Sequence, residues 1–233
     1  MERSPSASRS VFPVQAIVFD FDGVLVESVE VKTRAFAHLF AQEPPVLVQE
    51  FLAFHLKHGG LSRVEKLTVM YRDILKRPLS EDRLRALCEA FAGLVVDEVV
   101  AAPWVEGAEE FLLRHRGRYR FFVVSGTPQE ELREIIRRRG IEALFDGILG
   151  SPRMKTELLR EVVRCSSLGP AAMVFIGDSS TDWDAARATG MPFVWRQSPG
   201  SAVLDGCRGP RITSLAQLDD ALAALEQLGT IPR

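Results

Sequence analysis

Three short apolar runs bear most heavily on what this chain can fold into. They are QAIVFD at 15–20, RFFVV at 120–124 and AMVFI at 172–176. Each is too short for a buried helix and is rich in β-branched or aromatic residues, so each reads as a strand buried on both faces. Weaker strands are expected at 146–149 and 192–196. Helical patterns alternate with them at 106–116, 128–139, 153–165 and 182–189, and residues 215–228 close the chain as another helix. Such alternation implies a parallel sheet covered on both faces.

Residues 29–99 interrupt the alternation with helical patterns and no convincing strand. Val31, Ala35, Phe36, Leu39 and Phe40 form one apolar stripe. Val64, Leu67, Tyr71, Ile74 and Leu75 form a second, and Leu84, Leu87, Cys88, Phe91, Leu94 and Val95 a third. Ser62 with Glu65 fits a capping box, and Ser80 before Glu81 and Asp82 is a good helix start. The expected organisation is a polar tail over 1–12, a core built from 13–27 and 103–233, and a helical insertion over 28–102.

The net charge of −2 provides no field that would draw nucleic acid or an anionic membrane, and no apolar run is long enough to span a bilayer. The basic stretch RHRGRYR at 114–120 reads as cations at a helix C-terminus, with Gly117 as the stop. Three scattered cysteines without metal-ligand spacing read as reduced thiols. A cytoplasmic protein, monomeric or a weak homodimer, is expected, with no nucleic-acid or membrane partner.

Polar residues follow the strands where ligands of parallel sheets bind. They lie in AIVFDFDGV (16–24), FFVVSGT (121–127), SPRMK (151–155) and MVFIGDSSTD (173–182). Asp20 ends the first run and Asp22 follows, with Gly23 freeing the backbone to turn. Ser125 and Gly126 precede a helix start, with Thr127 expected as N-cap, Pro128 at the first helical position and Glu130 completing a capping box. Lys155 is expected in the first turn of a helix beginning at 151–152, where a cation opposes the helix dipole, with Arg153 as a rival for the same role. Asp178 and Asp182 follow the third run. Several carboxylates gathered in one place need a cation between them, and hard oxygen donors with a phosphate fit Mg²⁺.

In kind and order these residues resemble the haloacid dehalogenase superfamily, in particular phosphoglycolate-phosphatase-like members with a helical cap inserted after the first strand. The resemblance spans roughly residues 15–200. It implies a doubly wound (Rossmann-like) parallel sheet with the first strand central, and an inserted α-helical cap subdomain. It also implies a Mg²⁺-dependent phosphatase acting on a small phosphorylated metabolite such as a sugar phosphate or phosphoglycolate. Asp20 would be the nucleophile and Asp22 the general acid/base, with Ser125, Gly126 and Lys155 binding phosphate. Asp20, Asp178 and the backbone carbonyl of Asp22 would hold the metal, supported by Asp182. Thr156 stands where relatives commonly have proline. Asp22 argues against dehalogenation, since a halide leaving group needs no acid. It also argues against phosphonate cleavage, which would need a Schiff-base lysine such as Lys32, Lys57 or Lys66. A phosphosugar mutase with the same two aspartates is the alternative, and a silent phosphate-binding or partner-binding module a remote one. Substrate choice is expected from the segment HLKHGGLSR at 55–63, in particular His58 and Arg63.

Overall fold

A computed structural model describes residues 13–198 and 204–228; the tail expected over 1–12 lies outside them. Its centre is a six-stranded sheet of β1 (Ala16–Phe19), β2 (Arg120–Pro128), β3 (Gly147–Ser151), β4 (Met173–Gly177), β5 (Phe193–Arg196) and β6 (Arg211–Ile212). The order is β3-β2-β1-β4-β5-β6 and every pairing is parallel. This is the doubly wound α/β arrangement expected, with β1 central between β2 and β4. The two-residue β6 was not anticipated, because two residues carry no periodicity to read.

Side chains along the central strands alternate between two apolar clusters. Ile17, Phe19, Phe121, Val123, Val174 and Ile176 face one; Ala16, Val18, Phe122, Val124, Met173 and Phe175 face the other. Both faces being covered explains why these strands read as continuous apolar runs instead of alternating ones. The second cluster is closed by α7 (Lys155–Ser166) and α8 (Ser180–Thr189). The first is closed by α5 (Ala108–Arg114), α6 (Gln129–Arg138) and α9 (Leu218–Leu228).

Between β1 and α5 the chain forms α1 (Val29–Leu39), α2 (Pro45–Lys57), α3 (Arg63–Val69), a π-helical turn (Met70–Ile74) and α4 (Glu81–Ala101). The capping box at Ser62 and Glu65 and the Ser80 cap are both formed. Helix α2 was not distinguished in the sequence, because its apolar residues are not confined to one stripe. It carries His55 and Lys57, the first part of the segment expected to set substrate choice. Phe36, Phe51, Leu67 and Phe91 of this insertion belong to the same apolar cluster as Phe19 and Ile176 of the sheet. No helix among the described residues is long and apolar enough to cross a membrane.

Two local expectations need correction. Helix α6 starts at Gln129 with Pro128 as N-cap and no side-chain cap, so Thr127 does not cap it. Thr127 remains in β2, and its hydroxyl is engaged by Asp22 and Lys32 instead. Helix α7 starts at Lys155, not at 151–152, because Ser151 is still the last residue of β3.

Candidate active site

The loops leaving the carboxyl ends of β1, β2, β3 and β4 open together into a cavity of about 780 Å³. Asp20, Asp22, Ser125, Gly126, Lys155 and Asp178 all line it. Asp182 lies immediately behind, fully buried. The insertion supplies the opposite wall, with Lys32, His55, Gly59, Gly60, Arg63 and Lys66 among its lining residues.

Lys155 is the electrostatic hub. Its Nζ donates to Asp20 Oδ2 at 2.7 Å and to Asp182 Oδ1 at 2.6 Å. Burial alone would lower its pKa, but the charges of Asp182 and Asp20 outweigh it and leave the ammonium more basic than usual. Asp182 also closes the α8 capping box, accepting from Ser179 N and Oγ. The second oxygen of Asp20 accepts from Phe21 N at 2.7 Å. Burial, only partly opposed by Lys155, raises the Asp20 pKa to about 7.

Asp22 sits in a different environment. Its Oδ2 accepts from Lys32 Nζ at 2.5 Å and from Thr127 Oγ1 at 3.0 Å, while Oδ1 accepts from Ser28 Oγ at 2.6 Å. Burial pushes its pKa up, but the Lys32 charge and these donors more than offset it and hold the carboxyl below its usual range. Ser125 is buried; its Oγ accepts from Thr127 N and donates weakly to Asp22 at 3.5 Å. The pairing register of β2 with β3 shifts between Val124 and Pro128, which turns residues 125–127 out of the ladder toward the cavity.

Gly23 takes the left-handed conformation, φ +75°. A Cβ there would stand 2.3 Å from Asp178 Oδ2, so only glycine lets the β1 loop lie against the β4 carboxylate. Oxygens of Asp20, Asp178 and Asp182 come within 4.8 Å of one another. Asp178 receives no hydrogen bond from the described residues. Burial, followed by the charges of Asp182 and Asp20, raises its pKa well above the usual value. Four carboxylates here face two ammonium groups, those of Lys155 and Lys32. Asp178 is the one of the four without an ammonium partner among the described residues, and the crowding of hard oxygen donors fits one divalent cation.

The two specificity residues expected from the insertion are placed differently. Arg63 reaches the cavity wall, but its guanidinium is committed to Glu131 at 2.5 Å and Cys88 O at 3.1 Å and stacks over Phe91. His58 packs on Phe54 and is not a lining residue. Sequence reasoning missed the engagement of Lys32 with Asp22 and of Lys66 with His55. Both lysines sit on ordinary helical patterns that say nothing about which strand end they approach.

Comparisons with known proteins agree with this geometry. The family model described as haloacid dehalogenase-like hydrolase matches residues 17–196. The chain is 28% identical over 184 residues to a phosphoglycolate phosphatase of Synechococcus elongatus, covering 76% of this chain and 81% of that one. Among solved structures it is similar to β-phosphoglucomutase from Clostridium difficile, with a TM-score of 0.76, 19% identity, and coverage of 92% and 98%. It is also similar to CbbY from Rhodobacter sphaeroides in complex with phosphate, with a TM-score of 0.71, 21% identity, and coverage of 90% and 99%.

Proposed function

Because the chain belongs to the haloacid dehalogenase-like hydrolases, we propose that it hydrolyses a small phosphate monoester through an aspartyl-phosphate on Asp20. The observation that carries this is the buried Lys155 bridge between Asp20 and Asp182, set against a separately held Asp22 on the same cavity. Similar sequences include phosphoglycolate phosphatases, which supports a small metabolite as substrate.

In the first step an Asp20 oxygen forms a bond to phosphorus as the ester P–O bond breaks, and Asp22 gives its proton to the departing alkoxide. In the second, water attacks phosphorus, its proton passes to Asp22, and the bond to Asp20 breaks to release inorganic phosphate. Lys32 holds Asp22 ionised, which is the form that accepts the water proton. The first step needs the protonated form and is therefore favoured toward lower pH. Lys155, the Ser125 hydroxyl and the amides beside Gly126 would carry the charge of the transferring oxygens. Asp20, Asp178 and the Asp22 carbonyl would hold Mg²⁺, which when bound neutralises phosphate charge. Residues 28–102 would act as a cap that excludes bulk water.

Phosphate release from a panel of phosphomonoesters, with Mg²⁺ and with EDTA, tests the reading. Mg²⁺-dependent release by the native chain and its loss in Asp20→Asn, with unchanged folding, are expected. Retained turnover in Asp20→Asn would remove Asp20 as nucleophile. Isomerisation of a sugar phosphate without phosphate release would favour a mutase instead.

A further inference from the structure

The wall opposite the phosphoryl site contains a cation that the chemistry above does not use. Lys66 lines the cavity and is only 4% exposed. Its Nζ lies 3.0 Å from His55 Nδ1 and donates to Gly59 O at 2.9 Å. No carboxylate among the described residues pairs with it. Burial, then the charges of Lys32 and Lys155, lowers its pKa to about 7, with Asp22 and Asp178 opposing only in part. An ammonium taken out of water without a counter-charge is costly unless a ligand supplies one.

His55 makes the same point from the other side. It lines the cavity at 3% exposure, and burial, followed by the Lys66 charge, lowers its pKa to about 2. The ring is therefore neutral, with Nδ1 accepting from Lys66 and Nε2 bearing the hydrogen. That Nε2 has no partner among the described residues. Arg63, on the same wall, is already neutralised by Glu131.

The two cationic sites are close. Lys66 bonds the carbonyl of Gly59, and a Cβ on the next residue, Gly60, would lie 3.1 Å from Lys155 Nζ. A carbonyl oxygen and the Cβ position of the following residue are about 3–4 Å apart, so the two ammonium groups are separated by at most about 10 Å. A small molecule can span that gap.

We propose that Lys66, positioned by His55, binds a second anionic group of the substrate, so that the enzyme selects short phosphate esters carrying a carboxylate or a second phosphate a few bonds from the reacting phosphorus. The inference rests on the phosphatase reading of the same site.

Phosphate release is measured in Mg²⁺ for two matched pairs: 2-phosphoglycolate against ethyl phosphate, and propane-1,3-diol bisphosphate against its monophosphate. The native chain should favour the anion-bearing member of at least one pair by about ten- to hundredfold in kcat/KM, the size of a charged hydrogen bond. The favoured pair identifies the anion as carboxylate or phosphate. In Lys66→Met that ratio should collapse toward one, and Lys66→Arg should recover part of it. A native ratio near one in both pairs overturns the assignment, and that measurement does not depend on either variant folding. An unchanged ratio in Lys66→Met overturns it as well. Turnover of every ester without discrimination refutes the Lys66 subsite alone, whereas release from none of them removes the phosphatase reading and the subsite with it.

Discussion

Replacing Lys155 by methionine keeps much of its length and removes its charge. In the native site the ammonium is almost completely buried between Asp20 and Asp182, at 2.7 and 2.6 Å. Removing one member of a buried ion pair strands its partner's charge and costs about 3–5 kcal/mol. A chain of this size loses about 2–4 °C of melting temperature per kcal/mol, so a fall of about 6–20 °C is expected. The pH dependence has a definite sign. Asp20 already titrates at about 7 against an ordinary 3.8, because burial outweighs Lys155. Without the ammonium it rises further. A carboxyl with a raised folded pKa favours the native state at acid pH, and that support is lost as pH climbs from its unfolded value through its folded one. The deficit of Lys155→Met relative to the native chain should therefore be larger at about pH 8 than at about pH 5. Lysine's own titration lies above this window, since its pKa is raised from 10.5. Urea unfolding followed by the fluorescence of buried Trp195 in EDTA, so that no divalent ion substitutes for the lost charge, gives both numbers. A loss below about 1 kcal/mol at pH 8 would place the pair among weakly contributing exposed bridges and refute the argument.

Two further expectations concern the insertion. Lys32→Met removes the charge that holds Asp22 below its usual pKa, so the acid limb of the kcat profile should move to higher pH; a stationary limb would show that Asp22 ionisation does not control it. A methyl group on Gly60 would meet Thr181 Cβ at 2.8 Å and Ser179 Oγ at 2.9 Å. Gly60→Ala should therefore push the Gly59–Gly60 segment off the β4 loop and lower kcat/KM by about 10- to 100-fold, and native kinetics in that variant would count against that close seating.

The sheet was legible because burial on both faces leaves an unmistakable apolar run, and because a polar residue at the end of such a run has few places to go. The same logic brings Asp20, Ser125, Lys155 and Asp178 to one cavity, with Asp182 behind Lys155. It failed where position depends on how one helix docks on another. Lys32 lies one turn into α1 and Lys66 one turn into α3, and nothing local distinguishes them from solvated lysines. Arg63 drew attention as a cation beside two glycines, yet its partner Glu131 is on α6, 68 residues away. Thr127 looked like a helix cap because Pro128 and Glu130 follow it; a competing acceptor, Asp22, claims the hydroxyl instead.

Phe36, Phe51 and Phe91 are continuous with the apolar residues under β1 and β4. The insertion thus shares an apolar core with the sheet beside the cavity and is not a detachable module. Transplanting residues 29–101 onto a relative's sheet to change its substrate range would also require the recipient's facing side chains to be rebuilt. For the same reason, new specificities should be reached more readily by single replacements on the inner wall than by exchange of whole segments.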